Sequence, residues 1–403
     1  MRKVSDIVFA CCVSAVLFLC IGSAVFAHVA DDGEEAVSYL EGREYQQRPD
    51  FSLDAYVGHE YQDQFEQYVA DLTPNRDEVL LASAALQRFG IESANLVFGY
   101  PAYHTFFGSE YLASPEYGAV AEYPTKRAKV SEEYLAEKAE LFGSVMRAHP
   151  GLHWQFALVD RSRNSVANPA HDLVADVADY PYYRSAFLAK LPKACNCIDL
   201  GQETSASYLE HYYRTDHHWQ VSGALGAYRQ AMEGFGRKAL EIGDPPIVYE
   251  GPFYGSEARS GLVTAYWDDI HDVRVPTPRW QVKVDGEKVD PTWLNESFKD
   301  GFVGYEKTKR FSNAYAEHFH GDVGEIHIRN AKGKGALLIV GDSFTNPIDY
   351  MFAYSYRDVF VLDSRHYSGK LTTFLKKHKV DDALFLIASN TLVSQGMAKF
   401  LGD

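Results

Sequence analysis

Three runs near the C-terminus, Ala336–Val340, Val359–Leu362 and Ala383–Ile387, contain no polar side chain. A strand with one wet face alternates apolar and polar residues; strands this uniform are buried on both faces. The intervening segments Phe344–Tyr354 and Lys370–Lys377 have helical spacing, and strands alternating with helices build a parallel sheet covered on both sides. The same alternation starts earlier. Ser131 caps a predicted helix through Ala148, the break His149-Pro150-Gly151 follows, and Leu152–Val159 reads as a strand. Tyr182–Leu191 reads as a short helix, Cys197–Leu200 as a short strand, and the stretch from Trp219 to about Phe235 as a helix. The predicted fold class is therefore α/β, a parallel sheet flanked by helices.

Around this frame the chain divides unevenly. Residues 1–27 carry Arg2 and Lys3 ahead of an uncharged, mostly apolar run, Ile7–Ala27, which meets the acidic stretch Asp31–Glu35. That run is long enough to span a bilayer, and the leading basic residues place the remainder of the chain outside the cytoplasm. Cleavage after Val25-Phe26-Ala27 as a signal peptide, and retention as an N-terminal membrane anchor, are both open. Residues 28–128 read as an N-terminal extension packing on the catalytic domain, with amphipathic helices around Tyr61–Tyr68 and Asp77–Phe89. Residues 129–403 form the main domain, interrupted at about 243–335 by a mostly β insertion rich in Gly, Pro, Asp and aromatics.

Charge and cysteine usage narrow the classes of function. With 39 Lys and Arg against 55 Asp and Glu, the formal net charge is −16, which excludes nucleic acid as the expected partner and repels a strongly anionic polymer. Cys11, Cys12 and Cys20 lie in the apolar run, and Cys20 follows Leu17-Phe18-Leu19, which lacks the small residues of a lipidation site. Cys195 and Cys197 are no disulfide framework and read as buried core thiols.

Gly341-Asp342-Ser343-Phe344 follows an apolar strand and precedes a predicted helix, so Ser343 is presented at the carboxyl end of the sheet, where α/β sites gather and a helix N-terminus can hold an oxyanion. The bland reading, an ordinary turn with a helix cap, competes evenly on the tripeptide alone. A nucleophilic serine needs a base and an orienting acid. Asp216-His217-His218-Trp219 supplies both: Asp216 can hold the ring of His218 while that ring faces Ser343. A metal site would recruit His211, His318 or His320, yet none has the fixed spacing of a zinc motif, so no metal and no cofactor is expected. Asp268 and Asp269, the acids a glycosidase would use, are adjacent, unlike a separated acid pair. Gly333-Lys334-Gly335 precedes a strand and is not a phosphate loop.

The Asp-His-His-Trp and Gly-Asp-Ser-Phe motifs together resemble the DHHW family of the SGNH hydrolase superfamily, related to the alginate O-acetyltransferases. The resemblance runs through most of the chain after about Glu41 and includes Asp71-Leu-Thr-Pro74-Asn-Arg76, Phe253-Tyr254-Gly255-Ser256 and Asp363-Ser-Arg365-His-Tyr367. It implies an SGNH-like sheet with a circularly permuted motif order, because Asp216 and His218 precede Ser343. It also implies an oxyanion-hole asparagine after a late strand, for which Asn390 is the candidate although Ser389 and Thr391 depart from the Gly-x-Asn-Asp pattern. Arg365 is a candidate contact for the acyl or sugar group, against a surface ion pair.

These readings converge on extracytoplasmic, serine-dependent acyl transfer, the O-acetylation of a cell-surface polysaccharide through an acyl-Ser343 intermediate. The partners implied are a surface polysaccharide or oligosaccharide and a membrane protein that donates acetyl. A carbohydrate acetyl esterase shares the same intermediate. A noncatalytic glycan-binding or assembly protein is the rival from another class, since 27 Tyr and a 14% aromatic content suit sugar stacking as well as a core.

Overall fold

The computed structural model describes residues 37–123, 131–171, 180–273, 275–294, 309–392 and 394–402. Among them no helix is long and apolar enough to cross a membrane; the apolar run Ile7–Ala27 lies outside the described residues.

The frame is one eight-stranded sheet, whose strands we number in chain order: β1 His153–Val159, β2 Asn196–Asp199, β3 Gln281–Val284, β4 Glu287–Val289, β5 Glu325–Arg329, β6 Ala336–Gly341, β7 Asp358–Asp363 and β8 Asp382–Ala388. Their spatial order is β4-β3-β5-β7-β6-β8-β1-β2. The five strands from β7 to β2 are parallel, whereas β5, β3 and β4 add antiparallel to the β7 edge. The stretch 243–335, expected as a β insertion, thus supplies three strands that extend the main sheet. The remainder of that stretch holds an antiparallel hairpin, Ile247–Phe253 with Asp268–His271, whose end strand pair brings Phe253 opposite Asp268.

Every residue of β6, β7 and β8 is buried, as their composition requires. Alternation then sorts the side chains by face. Leu337 and Ile339 join Tyr228, Phe344 and Phe352 on one side, covered by the helix Val221–Gly234. Leu338 and Val340 join Phe142, Phe156 and Phe385 on the other, under the helices Glu132–Ala148, Leu371–Lys377 and Gln395–Leu401. Ser131 caps the first of these, its Oγ accepting from Tyr134 N–H at 3.1 Å.

Two expectations are corrected. The predicted helix Phe344–Tyr354 is a series of turns followed by a 3₁₀ helix over Asp349–Tyr354. Pro347 disfavours helical geometry at Asn346, and Asp342 takes the local amide of Phe344 at 3.1 Å. Of the two thiols read as core, Cys195 is buried but Cys197 is exposed. β2 is the sheet's edge strand, and of its four residues only Ile198 is buried.

The N-terminal extension carries helices over Glu60–Asp71 and Arg76–Phe98, longer than the periodicity predicts, and a three-stranded antiparallel sheet over residues 103–122. Arg43 grips Asp71 through two hydrogen bonds of 2.7 and 2.8 Å, tying the start of the described chain to the helix pair.

Phe142 sits where the covering helix meets the sheet, edge-on to Phe156 and Phe385, both at 5.1 Å between centroids. Phe142→Ala is expected to cost about 3–5 kcal/mol, as truncation of a fully buried aromatic does. The denaturant midpoint checks this, and a shift worth less than about 1 kcal/mol would place Phe142 outside the core.

Candidate active site

The central strand β6 delivers its carboxyl end between those of β7 and β8, with Gly341 level with Asp363 and Leu386. A Cβ on Gly341 would stand 2.2 Å from the Thr345 methyl, so only glycine lets the chain fold back this tightly. Asp342 then turns inward. Its Oδ2 accepts from Ala388 N–H at 2.8 Å and from the Thr391 hydroxyl at 2.6 Å, which ties the turn to the end of β8. Ser343 is left half-buried at the tip.

The Asp-His-His-Trp loop reaches that tip from the other side of the sheet's end. Tyr213 N–H donates to His218 O at 3.2 Å and Gln220 N–H to His211 O at 2.7 Å, closing a turn that aims residues 216–218 together. Asp216 Oδ1 lies 2.6 Å from His218 Nδ1, and His218 Nε2 lies 2.8 Å from Ser343 Oγ. An ionised carboxylate can only accept, so His218 carries its proton on Nδ1 and leaves Nε2 to accept from the serine hydroxyl.

Asp216 is held by more than the imidazole. Its Oδ1 also accepts from His218 N–H at 3.0 Å, and its Oδ2 from Ser256 N–H at 2.7 Å. Burial alone would raise this carboxyl, but the neighbouring histidines, the ring hydrogen bond and the Ser256 amide outweigh it and hold Asp216 well below the usual carboxylate range. His217 shows the opposite outcome: burial, then the adjacent His218, push it well below the ordinary imidazole value, so it is neutral. Its Nδ1 meets the Ser256 hydroxyl at 2.6 Å.

Several contributors escape sequence inspection. Gly255 lets the 253–256 turn approach, since a Cβ there would lie 2.3 Å from Thr215 O and 2.4 Å from Asp216 Cβ. Tyr315 stacks on the His218 ring at 4.0 Å and 11°, and its hydroxyl donates to Ser343 O at 3.1 Å. Phe344 flanks the same ring at 4.9 Å, and Trp219 Nε1 donates to Phe344 O at 3.0 Å. Asp268 accepts from Arg214 N–H, Thr215 N–H and the Thr215 hydroxyl, so it braces the loop and is unavailable as a glycosidase acid. Trp219 and Phe344 belong to the two motifs and Gly255 to Phe253-Tyr254-Gly255-Ser256, whereas the links made by Tyr315 and Asp268 are long-range and no local motif announces them.

The remaining candidates sit on the same sheet end without joining the hydrogen-bonded chain. Asn390 is exposed in the short turn of helix Ser389–Leu392 that follows β8. Arg365 follows β7 and pairs with Asp363 at 2.5 Å and Asp322 at 3.0 Å. Among the histidines considered for a metal, His318 pairs with Asp272 at 2.8 Å and His320 stacks on Trp293 at 4.6 Å. Asp216, His217 and His218 offer ligand atoms within 4.8 Å of one another, but the facing atoms are already engaged with one another and with Ser256.

Two buried acids beside the site give the fold a pH dependence. Burial pushes Glu257 from 4.5 up to about 8, although the Ser162 hydroxyl donates to it, and pushes Asp268 from 3.8 up to about 6 against its hydrogen bonds. A carboxyl raised on folding stabilises the native state fully below its unfolded pKa, and that contribution is lost as pH rises through the folded value. Stability is therefore expected to decline between about pH 4.5 and 8. Glu257→Gln, which keeps an acceptor for Ser162, should flatten that decline in urea-unfolding midpoints; an equal slope in the variant would refute the assignment.

No protein-family model matches the chain, and no curated protein is similar to it. Among solved structures it is similar to Bacillus cereus PatB1, with a TM-score of 0.55 and 21% identity over 70% of this chain and 96% of that one. PatB1 with a sulfonyl adduct gives 0.53 and 19% over the same shares. A DHHW family protein from Eubacterium siraeum gives 0.52 and 18% over 66% of this chain and 88% of that one. The chain thus shares the α/β fold of PatB1 and of that DHHW family protein.

Proposed function

We propose that the protein is an extracytoplasmic O-acetyltransferase that moves an acetyl group to a cell-surface polysaccharide through an acyl-Ser343 intermediate. The observation that carries this reading is the unbroken chain Ser343 Oγ, His218 Nε2, His218 Nδ1, Asp216, with links of 2.8 and 2.6 Å. In the first half-reaction Ser343 Oγ attacks the carbonyl of an acetyl ester, and His218 Nε2 takes the hydroxyl proton. Asp216 steadies the imidazolium, which returns the proton to the departing alkoxide. In the second, a sugar hydroxyl attacks acetyl-Ser343, its proton passes to His218, and Ser343 regains its own. Tyr315 and Phe344 both pack on the ring, which helps it keep its aim through both steps.

The oxyanion donors are the Ser343 N–H and, as a second candidate, the Asn390 side chain; Arg365 stands ready at the neighbouring strand end once released from its ion pairs. Delivery outside the cytoplasm rests on Arg2 and Lys3 ahead of Ile7–Ala27. Coenzyme A esters are absent there, so the acetyl comes from a membrane donor protein or an existing ester. The net charge of −16 favours a neutral or weakly charged glycan.

The full-length protein incubated with p-nitrophenyl acetate and quenched should carry one acetyl on Ser343 by peptide mass spectrometry, and a sulfonyl fluoride should block the same residue. Ser343→Ala should lose about 10³-fold or more in ester turnover with its fold intact. An alanine variant that folds and turns over ester normally would end the acyl-serine reading.

The two histidines should separate. His218→Ala is expected to be nearly as damaging as Ser343→Ala, and Asp216→Asn to cost about 10²–10⁴-fold by freeing the wrong tautomer. His217→Ala, which loses the Ser256 contact, should cost far less. Equal collapse of both histidine variants would point away from a single base. Deleting the gene should lower ester-linked acetate on surface polysaccharide; unchanged acetate would favour another acyl group or another substrate.

A further inference from the structure

Beyond the serine site, the hairpin Ile247–Phe253 and Asp268–His271 carries an open cleft of about 380 Å³ lined by Gly251, Pro252, Tyr254, Trp267 and Asp269. This size falls in the range of ligand clefts, about 300–1,000 Å³. Trp267 is 52% exposed, unusual for the side chain with the largest apolar surface. It is also held in place. A Cβ on Gly251 would stand 2.9 Å from Trp267 Cδ1, so the indole lies directly on the glycine backbone. Beside it, Asp269 Oδ1 accepts from Gly251 N–H at 2.7 Å, fixing a carboxylate that lines the cleft.

Alternation places these groups opposite the residue that braces the serine site. Asp268 points inward to Thr215, so its strand neighbour Asp269 projects from the other face of the hairpin, and Trp267, just ahead of the strand, lines the same cleft as Asp269. Gly251 is five residues before Ser256, whose amide holds Asp216, and an extended chain covers at most about 18 Å in that span. The cleft therefore lies on the segment that also holds Asp216, and a polymeric ligand is the kind that could engage both.

Resting on the acyl-transfer reading, we propose that the Trp267–Asp269 cleft is a polysaccharide-holding subsite, with one pyranose stacked on the indole and a hydroxyl donated to Asp269. A pyranose presents apolar C–H faces and hydroxyl edges together, as this pair requires. An apolar peptide would instead bury the free carboxylate oxygen without a donor.

The test uses the full-length protein in native gels containing hydroxyethyl cellulose, glycol chitin or galactomannan. At least one polymer should retard the wild type; Trp267→Ala should weaken that binding about tenfold or more, and Trp267→Phe should retain most of it. Turnover of p-nitrophenyl acetate should be unchanged in both variants. Retardation by none of the three polymers, or equal retardation of Trp267→Ala, overturns the subsite. Loss of the subsite with ester turnover still dependent on Ser343 leaves the acyl-transfer reading standing, whereas turnover that survives Ser343→Ala removes that reading and leaves the gel result legible by itself.

Discussion

A buried carboxylate is tolerated only when its lone pairs are filled, because leaving water costs an isolated charge several kcal/mol. Asp216 meets that demand with the amide and ring of His218 and the amide of Ser256. One donor residue is 40 positions from Asp216, so one charge fixes two loops against each other. Around it the dependence spreads outward: Ser256 is in reach because Gly255 has no side chain, and Thr215 is in place because Asp268 holds its amide and hydroxyl. Asp268 in turn belongs to the hairpin that carries Trp267. Removing the Asp216 charge would loosen the whole assembly on that side of Ser343.

A second carboxylate does the same on the sheet side. Asp342 joins the turn after β6 to the end of β8, so Ser343 is positioned by two strands at once. The two halves then meet through the hydrogen bond from Ser343 to His218 and the one from Trp219 to the Phe344 carbonyl. Aromatic faces limit how far that bond can drift: Tyr315 lies parallel to the imidazole, and its hydroxyl is anchored on the Ser343 carbonyl. Ser343 and His218 are therefore held as one unit.

How much of this was legible follows from range. β6, β7 and β8 could be read because a strand buried on both faces leaves no polar residue to confuse the pattern, and Ser343, His218 and Asp216 because two short motifs carry them. The turn after Ser343 was misread as a helix because Ile348, Met351 and Phe352 have helical spacing; Pro347 and the Asp342 carboxylate override that spacing. β3, β4 and β5 read as an insertion because they are short and alternate, and their pairing with the free edge of β7 is a tertiary fact. Tyr315, Ser256 and Asp268 act through partners 28 to 54 positions away, beyond any local pattern.

The electrostatics of the site depend on which neighbours stay uncharged. In a chain with a formal charge of −16, a buried imidazole could be surrounded by ionised carboxylates. Here burial pushes Glu257, next to Ser256, up to about 8, and His217 is kept neutral. Asp216 is then the carboxylate that touches the ring. The orientation of the His218 ring thus rests on one contact of 2.6 Å.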